Sequence, residues 1–193
     1  LSISCDDVRV DIYYTLDGSA PTITSNYYGS IDQNGNLITE NANLLINNST
    51  VVRAIAISQD SNFLNSFIST NTYFINENHG VSVISIAGEQ VDNLLNGNQI
   101  RPLGSFEIFD LNGALIDEAV GEFNEHGNDS WAYDQRGVDF IIRDQYGYSH
   151  AINDKLFTTK NRNAFQRLIL KAAANDNYPA TWGAPAHIRD SYV

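Results

Sequence analysis

The chain has 193 residues, of which 42% are hydrophobic and 18% are charged, and its formal net charge is −12. These values suit one medium-sized domain or two small ones, and they disfavour disorder, collagen and coiled coil. Because the net charge is strongly negative, we expect duplex DNA and anionic membranes to be repelled, and no nucleic-acid partner is predicted. No apolar run reaches the about 18 residues that a membrane-spanning helix needs, so no transmembrane segment is predicted.

Methionine is absent, and Cys5 is the single cysteine. The lack of an initiator methionine predicts a processed product or a fragment, and one cysteine cannot form an internal disulfide or a thiolate metal site. The composition favours Asn, Tyr, Ser and Thr over Lys, which is typical of a β-rich extracellular or cell-surface protein.

The first part of the chain is predicted to form short strands joined by polar turns. In residues 8–15, apolar and polar side chains alternate, as expected for a half-buried strand. Further strand candidates are 44–46, 51–58 and 66–75, which are rich in β-branched and aromatic residues. Strands of this spacing without a helical period favour a small β-sandwich, and the polar segment 76–80 is its predicted end.

The second part has a mixed pattern. Residues 81–88 and 137–147 are strand candidates, and residues 105–123 are predicted to form a hairpin around Asp110-Leu111-Asn112-Gly113. Residues 161–174 are ambiguous. An apolar stripe with Asn163 as N-cap slightly favours a helix, but the run FQRLILK fits a central strand as well.

The segment Tyr13–Ser30, which begins YYTLDGSAPT, is followed by VVRAIAIS at 51–58 and STNTYFIN at 69–76. Together these pieces resemble the chitobiase/β-hexosaminidase C-terminal-like domain. The resemblance implies that residues 1–78 form a non-catalytic immunoglobulin-like β-sandwich, of a kind appended to secreted polysaccharide-active or surface proteins. Tyr27 and Tyr28 are then candidate carbohydrate-binding residues, although the residues alone favour core and corner tyrosines.

Residues 79–193 resemble the start of the spore-coat CotH family of secreted kinase-like domains. The resemblance rests on the order of VSVISI (81–86), RGVDFIIRDQYG (136–147), KLF (155–157), FQRLILKAAANDN (165–177) and HIRDSYV (187–193). It implies the N-terminal portion of an α+β domain, and it changes the preferred structure of 165–171 to a strand, with a helix beginning near His187. It also implies that the acidic catalytic motifs of the family would lie beyond Val193.

Cationic side chains outnumber carboxylates between residues 135 and 174. By position in the CotH-like motifs, Arg136 and Lys171 are the candidate phosphate-binding residues of a nucleotide site. A solvated strand face with cross-strand charge pairs is the favoured alternative. The four histidines show no metal-ligand spacing, so neither a metal site nor a catalytic residue is predicted in this chain.

The predicted fold is therefore mainly β: an immunoglobulin-like β-sandwich followed by a partial α+β CotH-like domain. We expect a structural or interaction role in a secreted or cell-surface protein, with other surface proteins or glycans as partners and no cofactor in this chain. One alternative is part of an extracellular protein kinase whose full-length form uses ATP and Mg²⁺. Another is a carbohydrate-binding accessory module.

Overall fold

The computed structural model describes residues 1–39, 43–127, 131, 133–134 and 136–172, and their fold is mainly β. Ten strands form two antiparallel five-stranded sheets, one on each side of residues 74–82. The first sheet has the order β3-β2-β1-β4-β5, and its strands are β1 (Val10–Thr15), β2 (Asn26–Ile31), β3 (Leu37–Ile38), β4 (Thr50–Ser58) and β5 (Ser69–Tyr73).

The second sheet has the order β10-β9-β8-β7-β6. A short helix, α1 (Val91–Leu95), connects its first two strands, and a 3₁₀ turn at Asp144–Tyr146 follows its fourth. Its strands are β6 (Val83–Ala87), β7 (Leu103–Phe109), β8 (Leu115–His126), β9 (Gly137–Ile142) and β10 (Arg167–Leu170).

The core of the first sheet follows from the alternation in β1. Val10 and Ile12 are buried on one face, where they pack with Tyr28, Ile31 and Ala56. The N-terminal segment covers this face, because Ile3 packs against the same cluster and its backbone N–H donates to the Tyr28 hydroxyl at 3.1 Å. Successive residues of a strand point to opposite faces, so the other face of this sheet carries a different set of side chains.

Stacked phenylalanines form the core of the second sheet. The ring of Phe140 lies 5.0 Å from that of Phe106 and 4.7 Å from that of Phe123, measured between centroids. All three rings are fully buried, and α1 covers them with Val91 and Leu94. Offset aromatic packing of this kind supplies a large share of the apolar burial in a small domain.

The predicted hairpin around Asp110–Gly113 is confirmed, with β7 and β8 as its strands. The Asp110 carboxylate accepts the backbone N–H groups of Asn112 at 2.8 Å and Ala114 at 2.9 Å, and Gly113 has a φ of 78°. A residue with positive φ is required at this point of the turn, and glycine adopts it without a steric cost.

The mainly-β prediction is confirmed, and the predicted boundary at 76–80 falls in the connection between the two sheets. In the ambiguous segment 161–174, the strand is the correct alternative, because Arg167–Leu170 pairs with β9. The strand predicted at 44–46 is wrong, since these residues belong to an irregular segment. The helix expected near His187 lies outside the described residues.

The described strands of residues 1–78 all belong to the first sheet. The described residues between 79 and 172 contribute the second sheet, the helix α1 and the 3₁₀ turn at Asp144–Tyr146. Within the described ranges, no helix has both the length and the apolar character needed to cross a lipid bilayer.

Candidate functional site

A buried carboxylate joins the two sheets. Glu107, in the middle of β7, is 1% exposed, and its carboxylate accepts the backbone N–H of Thr72 at 3.0 Å and the Thr72 hydroxyl at 2.5 Å. The Ser85 hydroxyl lies 2.6 Å from the same Thr72 oxygen. Because Thr72 donates its only hydroxyl proton to the carboxylate, Ser85 is the donor in this second contact. We call these three residues the polar seam.

The polar seam satisfies an edge of the first sheet. β5 is an edge strand, so part of its backbone faces away from β4 and has no partner within its own sheet. Strand alternation directs Glu107 away from the phenylalanine core and towards this edge. The bond from the Thr72 N–H to Glu107 therefore satisfies one backbone donor of this edge from the neighbouring sheet.

Two aromatic contacts lie beside the polar seam. The rings of Phe74 and Phe109 are 5.0 Å apart in an edge-to-face arrangement, and those of Phe67 and Tyr148 are 4.9 Å apart in a similar arrangement. In each pair, one ring belongs to the first part of the chain and the other to the second. The sheets are thus held by polar and aromatic contacts together.

A cleft of about 490 Å³ lies between the two sheets, and we call it the inter-sheet cleft. One wall carries Ile55 of β4 and Phe67, and the opposite wall carries Leu103, Val120 and Tyr146. Tyr146 belongs to the 3₁₀ turn after β9. The volume of the cleft lies within the roughly 300–1,000 Å³ range of small-molecule sites.

Arg53 contributes the one buried cation of the described core to this cleft. Its side chain donates from Nη1 to the Gly18 carbonyl at 2.9 Å and from Nε to the Thr70 hydroxyl at 3.3 Å. Burial lowers the pKa of the guanidinium, and the nearby carboxylate of Glu89 acts in the opposite direction. Since arginine stays protonated in proteins, the cleft holds a positive and a negative charge close together.

The structure separates the two predicted carbohydrate residues. Tyr27 is 50% exposed and lies 5.5 Å from Tyr13 between ring centroids, whereas Tyr28 is 1% exposed and belongs to the core of the first sheet. The β1–β2 pairing is irregular at Tyr28, which has no partner residue on β1, and because its ring is buried the two tyrosines cannot serve one ligand surface. Of the predicted pair, Tyr27 alone has a ring face that a sugar could reach.

The predicted phosphate residue Arg136 is engaged in structural contacts. It donates to the carbonyls of Trp131 at 3.0 Å and Leu95 at 2.9 Å, and its guanidinium lies 5.9 Å from the centre of the Trp131 ring. These contacts hold the end of α1 against the start of β9. Lys171 is exposed and follows directly after β10.

A network of ionisable side chains crosses three strands of the second sheet, and its Arg167–Asp139 pair is a cross-strand charge pair of the kind expected between residues 135 and 174. Asp139 of β9 is buried, and its carboxylate lies 3.1 Å from Nδ1 of His126 and contacts Nη2 of Arg167. The three residues come from β8, β9 and β10, so pairing of these strands was needed to find the network. No group of three or more His, Cys, Asp or Glu side chains that could hold a metal ion occurs among the described residues.

One family model matches the first part of the chain. Residues 1–73 match the family model described as Fn3 associated. This region contains the whole first sheet, from β1 to β5, and the match agrees with an immunoglobulin- or fibronectin-like β domain. It gives no support for the chitobiase-like or the CotH-like resemblance. No curated protein and no solved structure matches the chain.

Proposed function

We propose that this chain is a non-catalytic interaction module of a secreted or cell-surface protein, in which a fibronectin-associated sheet is docked on a second sheet to form one rigid unit. The observation that supports this proposal most is the polar seam, because Glu107 of the second sheet accepts the backbone N–H and the hydroxyl of Thr72 on an edge strand of the first. Burying a carboxylate costs free energy, and the bonds from Thr72 offset this cost only while the two sheets stay docked.

Several surface features support a role in binding. The Tyr13–Tyr27 pair and the Phe67–Tyr148 pair both present aromatic surface, and the inter-sheet cleft is concave. Exposed aromatic side chains next to a rigid concave surface are typical of interaction sites.

The test of the rigid unit is the unfolding of the two sheets with separate probes. Fluorescence of Trp131 reports on the second sheet, and near-UV circular dichroism of Tyr28 reports on the first. Replacing Trp182 by Phe removes the other tryptophan signal, and replacing Tyr28 by Phe identifies its dichroism. We expect coincident transitions in urea, as for one cooperative unit. Two separate transitions would overturn the proposal.

A carbohydrate-binding role is the second candidate, and the exposed Tyr27 beside Tyr13 favours it. Two neighbouring aromatic rings can stack on the apolar face of a sugar. On a glycan array, Tyr27→Ala should then abolish any binding, whereas Phe63→Ala, which also removes an exposed aromatic ring, should leave it unchanged.

The CotH-like alternative is phosphoryl transfer from ATP by a longer chain. If the present residues already hold part of the nucleotide site, ATP with Mg²⁺ should raise the melting temperature, and Arg136→Gln should remove that increase. The interaction-module proposal expects no shift with ATP and Mg²⁺.

A further inference from the structure

The inter-sheet cleft combines apolar walls with a small number of polar groups. Ile55, Leu103 and Val120 supply aliphatic surface from both sheets, and Tyr146 adds an aromatic ring that is 40% exposed. Sites for small ligands have this composition, in which apolar walls bind the body of the ligand and a few polar groups orient it.

Arg53 is the best-placed polar group of the cleft. Its described hydrogen bonds use Nε and Nη1, and among the described residues none uses Nη2. The bonds to Gly18 and Thr70 hold the guanidinium in place, so its orientation is fixed before any ligand arrives. The N–H groups of Nη2 can donate to a hydroxyl or carbonyl oxygen.

The charges of the cleft favour a neutral ligand. The Glu89 carboxylate acts electrostatically on Arg53, so the two charges offset each other, and Gln90 and Gln145 add uncharged amides to the lining. The net charge of −12 on the whole chain also repels anionic ligands such as polyphosphates and acidic glycans.

We propose that the inter-sheet cleft binds one neutral pyranose residue, such as the end of a glycan chain. A pyranose has an apolar C–H face that fits against Tyr146 and the aliphatic walls, and its hydroxyls can pair with Arg53 and the amides. This inference rests on the interaction role proposed above and names its ligand. It places the sugar at a different surface from the Tyr13–Tyr27 pair.

The test uses the full chain and isothermal titration calorimetry. The ligands are the methyl glycosides of glucose, galactose, mannose and N-acetylglucosamine, with methyl glucuronide as the acidic comparison. Leu103→Trp fills the cleft, and Leu115→Trp is its matched control, because the two leucines are 41% and 46% exposed and the second does not line the cleft. Melting curves establish that both variants are folded.

We expect at least one neutral glycoside to bind at one site per chain and methyl glucuronide to bind more weakly. Leu103→Trp should weaken binding by at least about tenfold, and Leu115→Trp should not. Absence of binding to all four neutral glycosides overturns the cleft proposal, as does binding that Tyr27→Ala abolishes and Leu103→Trp does not. Either result contradicts only the cleft proposal if both sheets unfold together. Separate unfolding of the two sheets would instead contradict the interaction-module proposal.

Discussion

Glu107 of β7 accepts the backbone N–H of Thr72 in β5 at 3.0 Å, and this bond joins two sheets that share no strand. The carboxylate also lies directly opposite Glu118 in the β7–β8 pairing. Like charges at opposite positions of a strand pair are unfavourable, so the bonds from Thr72 offset a repulsion that the fold itself creates.

The first prediction is energetic coupling between Glu107 and Thr72. Glu107→Ala leaves the Thr72 N–H without its partner, and we expect it to lower the free energy of unfolding by about 1–3 kcal/mol. In a double-mutant cycle with Thr72→Val, the coupling should be about 0.5–3 kcal/mol, measured by urea denaturation.

Thr70→Val is the matched control for this cycle. Thr70 lies on the same strand and face as Thr72, but its hydroxyl contacts Arg53 instead of Glu107. A cycle of Thr70→Val with Glu107→Ala should show much less coupling. Equal coupling in the two cycles would mean that the seam has no specific role.

The second prediction concerns pH. Partial loss of solvent raises the pKa of Glu118, a largely exposed residue, above its ordinary value of 4.5, and the charges of Glu107 and Asp117 raise it further. The ionised form of Glu118 therefore destabilises the folded state, and this loss of stability has its full size above the raised pKa. The loss decreases as the pH falls through the raised pKa, and it disappears below the ordinary pKa, where Glu118 is protonated in both the folded and the unfolded state.

Glu118→Gln should therefore stabilise the protein at about pH 7.5 by less than about 1 kcal/mol, since the carboxyl keeps contact with solvent. At about pH 4 the gain should be much smaller, because the wild-type carboxyl is then largely protonated. Melting temperatures of both proteins at the two pH values measure the difference. A gain that grows towards acid pH would contradict the assigned direction.

The third prediction tests close packing between β8 and β9. A Cβ atom on Gly121 would lie 2.3 Å from the Ile141 carbonyl oxygen and 2.8 Å from the Phe140 ring. Gly121→Ala should lower the free energy of unfolding by about 1–3 kcal/mol, because the backbone must move to make room. Gly80→Ala is the control, since nothing lies within 4 Å of its added Cβ atom. Thermal denaturation that ranks the two variants equally would argue against this strand pairing.

The fourth prediction tests the aromatic core of the second sheet. Phe140 contacts both Phe106 and Phe123, so Phe140→Ala should lower the free energy of unfolding by about 3–5 kcal/mol. Chemical denaturation measures this loss. The exposed Phe63 provides the comparison, and Phe63→Ala should change stability by less than about 0.5 kcal/mol. A loss of under about 1 kcal/mol for Phe140→Ala would place the core elsewhere.

Local sequence patterns predicted most of the strands. Alternation in residues 8–15 and the Asp110–Gly113 turn each determine a structure within a few neighbouring residues, and both predictions hold. The run at 165–171 could not be assigned from its own residues, because a short apolar run fits a buried helix and a buried strand equally well. Its pairing with β9 decides the question, and pairing is a property of distant residues.

The candidate sites were less predictable than the strands. Tyr27 and Tyr28 could not be separated from the sequence, because no strand was predicted there and the pairing of β2 with β1 is irregular at Tyr28. The polar seam and the inter-sheet cleft depend on how two separate sheets dock, which no local pattern encodes. The one sequence signal was Glu107 itself, a carboxylate in the middle of an apolar strand, where a charge needs a partner from another element.

The most direct test of the docked two-sheet unit is hydrogen exchange at the Thr72 amide. This amide belongs to an edge strand, so without the second sheet it would exchange quickly. We predict that it is protected in the wild-type chain and that Glu107→Ala accelerates its exchange much more than that of amides inside β1. Rapid exchange of the Thr72 amide in the wild-type chain would contradict the docking of the two sheets.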